Sequence, residues 1–148
     1  MLFMGGSVSI PKASFHEIQG ISKSHSSINN SILISTLPSS MQYCLIPTTV
    51  SIENEEEIIN ASISKKSDVA IYIYGLNCND DSVYAKYKQL VALGCSKVFI
   101  YCGGMFEWML LQDVYGENEF PTTGSEIDIL KFAPSNKAKV LMILDKCP

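Results

Sequence analysis

Arginine is absent from this sequence: all eleven basic side chains are lysine, against fifteen acidic ones and a formal net charge of -4 at pH 7. Chemistry that depends on a guanidinium is therefore excluded. The lysines form no run of the kind that tracks a phosphate backbone, so direct binding to nucleic acid is not expected. Histidine is nearly as scarce, with only His16 and His25, and neither has a partner at metal-ligand spacing. The five cysteines, at 44, 78, 95, 102 and 147, are odd in number and scattered, which argues against a disulfide framework and for reduced thiols. Cys95 and Cys102 cannot share one ion, because an extended chain would hold them roughly 20 Å apart. Neither a metal nor another cofactor is expected.

Long apolar runs are also missing. No stretch reaches the length needed to cross a bilayer, and the N-terminal MLFMGGSVSIPK has neither a basic start nor a long apolar segment. Glycine does not directly follow Met1, as myristoylation would require. A cytoplasmic or otherwise intracellular protein with no membrane insertion is expected.

What remains is ordinary globular composition: 148 residues, 47% apolar and 18% charged, enough for one domain with a sizeable core. Val8-Ser9-Ile10-Pro11 reads as a short strand, followed by a proline-started helix from Lys12 to Gln19 that stops at Gly20. Ile21 to Asn30 reads as a loop, and Ile32-Leu33-Ile34 as a buried strand closed by Leu37-Pro38. Val50-Ser51-Ile52 predicts another strand. Glu53 to Ile63 predicts a helix with acidic residues in its first turn. The clearest strand is Asp68 to Tyr74, DVAIYIY, apolar almost throughout, as strands of a parallel sheet covered on both faces are. Gly75 to Asp81 is a loop, Ser82 a candidate N-cap, and Val83 to Leu93 a helix ending at Gly94. Lys97 to Tyr101 is the last central strand, broken by Gly103-Gly104, and Met105 to Val114 the helix after it. Phe120 to Gly124 reads as a turn, and Val140 to Leu144 as an edge strand or helical turn. Strands alternating with helices favour a doubly wound parallel α/β sheet.

Tyr101 to Trp108, YCGGMFEW, resembles the rhodanese-like family, whose last sheet strand ends in Gly-Gly before a helix carrying a tryptophan. Upstream, Leu45-Ile46-Pro47-Thr48-Thr49-Val50-Ser51-Ile52 is similar to the family's His-Ile-Pro-Gly-Ala-Ile-Asn-Ile segment. The match falls at Ile46, Pro47 and Ile52. The fragment from Met105 to Thr123 also resembles a divergent branch of the family found, among others, in large DNA viruses. The likeness spans residues 8 to 115 and leaves 116 to 148 as a C-terminal extension of one domain. It implies a five-stranded parallel sheet in the order 1-5-4-2-3 with helices on both faces.

In active members of that family, a loop cysteine takes up sulfur as a persulfide while backbone N–H groups converge on the bound anion. The loop spells Cys, four residues, Arg, then a small hydroxyl residue at the helix start. With Ser82 as that last residue, Asp81 stands where arginine belongs, and Leu76 or Gly75 where cysteine belongs. The family's Asp and Arg after its second strand are replaced here by Ser35-Thr36-Leu37.

Cys78 is left as a displaced candidate nucleophile, with Cys102 as a possible second thiol and Gly75, Leu76, Asn77, Asn79, Asp80, Asp81 and Ser82 as the surrounding loop. Negative charge on Asp80 and Asp81 opposes a thiolate and repels anionic donors. The expected function is therefore a catalytically degenerate rhodanese-like module that binds a protein partner or serves a structural role. The alternative is a noncanonical sulfurtransferase or thiol-redox protein using Cys78. A related phosphatase would need Cys, five residues, Arg, and is excluded with the arginine. The Glu53, Glu55, Glu56 and Glu57 cluster reads as a solvated face complementing the helix dipole, and Trp108 with its apolar neighbours as core packing.

Overall fold

A computed structural model describes residues 9–24, 30–65 and 68–135. The predicted edge element at Val140 to Leu144, as well as Val8 and His25, lies outside the described residues. Among the described residues, four strands and four helices alternate: β1 (Lys12–Ala13), α1 (Phe15–Lys23), β2 (Ser31–Ser35), α2 (Ile52–Ser64), β3 (Ala70–Tyr74), α3 (Asp81–Ala92), β4 (Val98–Tyr101) and α4 (Gly104–Tyr115). Two single 3-10 turns, Ser39–Met41 and Ile129–Phe132, sit in the connections.

The sheet is wholly parallel with strand order β1-β4-β3-β2. This corrects the five-stranded sheet in the order 1-5-4-2-3 implied by the resemblance. The segment expected to supply the missing strand makes a single bridge, Leu33 with Thr49, and one hydrogen bond, Val50 N–H to the Leu33 carbonyl at 2.9 Å. The reason is local. Pro47 has no N–H to donate, Thr48 adopts a left-handed φ of 74°, and Ile52 already opens α2, so no extended run is left.

The start of the chain is also shifted from expectation. Lys12–Ala13 is strand rather than helix, because Lys12 pairs with Ile100 and the Pro11 carbonyl accepts the Ile100 N–H at 3.0 Å. The helix begins only after Ser14 and continues through Gly20 to Lys23. An open, solvent-facing Gly20 costs a helix propensity but not its continuity.

Strand side chains alternate between two cores, as the period of two requires. Ile71 and Ile73, with Val98 and Ile100, meet Ile59 of α2 and Val83 and Leu90 of α3. On the other face, Leu33, Tyr74 and Tyr101 meet Ile18 of α1 and Met105, Trp108 and Met109 of α4. Helices thus cover both faces. Residues 116 to 133 belong to this second core, since Phe120 and Phe132 are buried in it. Trp108 Nε1 donates to the Pro121 carbonyl at 2.8 Å, its ring stands edge-on to Phe120, and Leu45 N–H donates to Thr123 Oγ1 at 3.0 Å.

Tyr74 ties the strand to the connection that failed to become one. Its hydroxyl accepts the Ile46 N–H at 3.2 Å and lies 2.7 Å from Thr49 Oγ1. Burial pushes its pKa up to about 12, against smaller opposing effects of its hydrogen bonds. A raised folded-state value means the neutral phenol contributes its stability in full below its ordinary pKa of 10 and loses it as pH rises toward about 12. Tyr74→Phe should cost about 1–2 kcal/mol at neutral pH and flatten that alkaline loss. Chemical denaturation at a series of pH values checks both.

Candidate functional site

The loop from Gly75 to Asp80 leaves the carboxyl end of β3, the edge at which open α/β sheets present ligand sites. Its backbone turns around the Asp80 side chain. Leu76 N–H donates to Asp80 Oδ2 at 2.9 Å, while Ser82 N–H and Ser82 Oγ both donate to Oδ1, at 3.1 and 2.6 Å. Asp80, not Ser82, is therefore the N-cap of α3, and Ser82 is already inside the helix. Three more N–H groups of the loop and the first turn of α3 are committed internally: Asn79 N–H to Asn77 Oδ1 at 2.9 Å, Asp80 N–H to the Asn77 carbonyl at 3.2 Å, and Val83 N–H to the Asp80 carbonyl at 3.3 Å.

Glycine at position 75 is a condition of this arrangement. A Cβ there would collide with Asp80 Oδ2 and stand 2.6 Å from Val83 Cγ2 and 2.9 Å from Thr36 Oγ1. A cysteine at this position and the Asp80 carboxylate in its present place exclude each other. Thr36 Oγ1 also lies 2.9 Å from Ser82 Oγ, so the residues after β2 brace the loop without any charged group.

The Gly103-Gly104 pair closes the loop from behind. Met105 and Phe106 N–H, in the first turn of α4, donate to the carbonyls of Gly75 and Leu76 at 3.0 and 2.9 Å. Gly103 is covered by the Glu107 carboxylate folded back over it. That carboxylate lies beside the buried Tyr101 hydroxyl, whose pKa is raised first by burial and then by Glu107. Each of the two helix starts at this edge thus holds a carboxylate from its own chain, Asp80 at α3 and Glu107 at α4.

Of the predicted site residues, Gly75, Leu76, Asn77, Asn79, Asp80 and Ser82 are brought together in one turn, with Asp81 as the first residue of α3. Asn77 also reaches the far end of the chain, its Nδ2 donating to the Phe132 carbonyl at 2.9 Å. Cys78 is exposed at the loop tip, and its Sγ contacts Asn79 Oδ1 at 3.8 Å, an acceptor that a thiolate could not use. Cys102, half-buried after β4, lies against the Tyr84 hydroxyl, whose pKa is raised chiefly by Cys102, then by burial, with Cys78 and Asp81 adding less. Both thiols therefore share this edge. Cys44 is buried and Cys95 half-buried, and burial raises the pKa of each.

Asp80 as cap and Glu107 as helix cover were not singled out from sequence. The Asp-Asp-Ser run offers three residues suited to capping, and only the close approach of Gly75 selects the first. Among the described residues, no group of three or more His, Cys, Asp or Glu could hold a metal ion, and no helix is long and apolar enough to cross a membrane. His16 is exposed, its ring tilted 35° to that of Phe15 with centroids 4.2 Å apart.

No protein-family model and no curated protein matches the sequence. Among solved structures, the chain is similar to the crystal structure of the BH2092 protein from Bacillus halodurans, with a TM-score of 0.51 at 17% identity over 89% of each chain. At that identity the likeness is one of fold alone, a parallel α/β architecture common to the two chains.

Proposed function

We propose that this chain is a rhodanese-like domain that no longer transfers sulfur and acts as a protein-binding or structural module. The observation that carries the reading is the Asp80 carboxylate, which takes the Leu76 and Ser82 N–H groups that an anion-binding loop would offer to its ligand. An incoming thiosulfate or phosphate would have to displace a tethered carboxylate at a helix start that also carries Asp81, with no arginine in the chain to offset them. The Asn79 and Asp80 N–H groups, between that carboxylate's two amides in the chain, are taken by Asn77.

The purified chain should show no cyanide-dependent thiocyanate formation from thiosulfate above the uncatalysed rate, and Cys78→Ser should leave that background unchanged. Turnover that disappears in Cys78→Ser would instead establish the sulfurtransferase alternative.

A further inference from the structure

Helix α2 buries only Ile59 of its 13 residues, whereas α4 buries four of its 12. Between α2 and α3 lies an open groove of about 450 Å³ whose floor is Ile59 and Leu90 and whose ends are Ile52 and Leu93, 50% and 48% exposed. A second depression, lined by Thr36 and Ser82, shares Ile52, Glu55, Lys86 and Gln89 with it, so the groove continues to the carboxyl edge of the sheet. Both helices lead into parallel strands of the same sheet and run in the same direction. Ile52 to Ile59 and Lys86 to Leu93 each span about two helical turns, roughly 10 Å. That is the length over which an amphipathic helix presents apolar side chains at i, i+3, i+4 and i+7.

The charge along the groove names the occupant. Glu55 is already paired with Lys86 at 3.1 Å, and this pair crosses the groove. Glu53 and Glu55 sit in the first turn of α2, where the helix dipole favours them, but Glu56 and Glu57 lie beyond the reach of that effect. Among the described residues, Glu53, Glu56 and Glu57 have no ion-pair partner, and Glu56 lines the groove. Two exposed apolar ends, Ile52 and Leu93, beside the unpaired carboxylate of Glu56 and its neighbours Glu53 and Glu57 on α2, are complementary to a helix that is apolar on one side and cationic on its flank.

We propose that the α2–α3 groove seats an amphipathic, lysine-bearing helix of a partner protein, with apolar side chains between Ile52 and Leu93 and cations against Glu56. This rests on the reading of the domain as a protein-binding module and gives that partner its chemistry.

The probe is an amidated peptide of about four helical turns, leucines at i, i+3, i+4 and i+7 and lysines elsewhere, titrated into the full ¹⁵N-labelled chain. A second peptide carries glutamate in place of lysine. Shifts should concentrate on α2 and α3 for the lysine peptide, with binding at least tenfold weaker for the glutamate one. Leu93→Asp should abolish the shifts. Glu56→Lys should weaken binding several-fold, while Glu117→Lys, an equal charge change on an exposed residue away from the groove, should leave it unchanged. Equal binding of both peptides, equal effects of the two charge reversals, or shifts centred outside α2 and α3 would overturn the proposal. So would shifts of α2 and α3 that depend on protein concentration without peptide, which would make the occupant a second copy of the chain. Failure here in a chain that also fails to make thiocyanate removes the groove assignment and leaves the loss of sulfur transfer standing.

Discussion

Gly104→Ala is expected to lower the melting temperature by roughly 10 °C, a loss of about 3 kcal/mol for a domain of this size. Gly104 has a φ of 62°, which a side chain rarely adopts, and an added Cβ would stand 2.6 Å from the Gly75 carbonyl oxygen, 2.9 Å from Asn77 N and 3.0 Å from the Leu76 carbonyl carbon. All three neighbours are backbone, so no rotamer change relieves the contact. The same movement would pull Met105 and Phe106 N–H away from the loop carbonyls they hold. Gly20→Ala is the internal control: its surroundings are open within 4 Å and its φ is not positive, so alanine should raise stability by about 0.5–1 kcal/mol. Thermal melts of the two variants with opposite signs support the close approach of α4 to the loop. A melt of Gly104→Ala within a degree or two of wild type rules it out.

Asp80→Ala should cost about 2–3 kcal/mol, combining a lost N-cap with charge-assisted bonds to two amides. The more telling effect is a gain. With the carboxylate removed, Leu76 and Ser82 N–H are left at a helix start, where an anion can replace what was lost. Ligand binding to the folded state alone adds RT ln(1 + [L]/Kd) of stability, so the variant should be stabilised by sulfate beyond the general salting effect seen in wild type. Melts in sulfate and chloride at equal ionic strength separate the two contributions. A variant that responds to sulfate no more than wild type would show that the loop has no latent anion cradle.

The parts of this fold that were legible in sequence are those where one local signal dominates. The unbroken apolar runs AIYIY and VFIY placed β3 and β4, and the acidic start of IENEEE placed α2. The expected strand at Val50 failed for local reasons that composition does not announce: Thr48 turns left-handed and Ile52 already opens α2. The extension from 116 onward offered no helical or strand period around Phe120 and Phe132, yet each is buried in the core that α4 covers. At the site, the composition of the loop was visible but its logic was not. Asp80 and Asp81 are adjacent and chemically equal; only the first points back over Gly75, and that depends on the approach of three segments distant in sequence.

The most direct test of the account is a mass measurement on the intact chain after exposure to a persulfide donor, with the modified residue mapped by peptide fragmentation. The plugged loop predicts no gain of a sulfur atom at Cys78 under conditions that load a sulfurtransferase of known activity. A stable single-sulfur adduct on Cys78, formed in wild type and absent in Cys78→Ser, would contradict it.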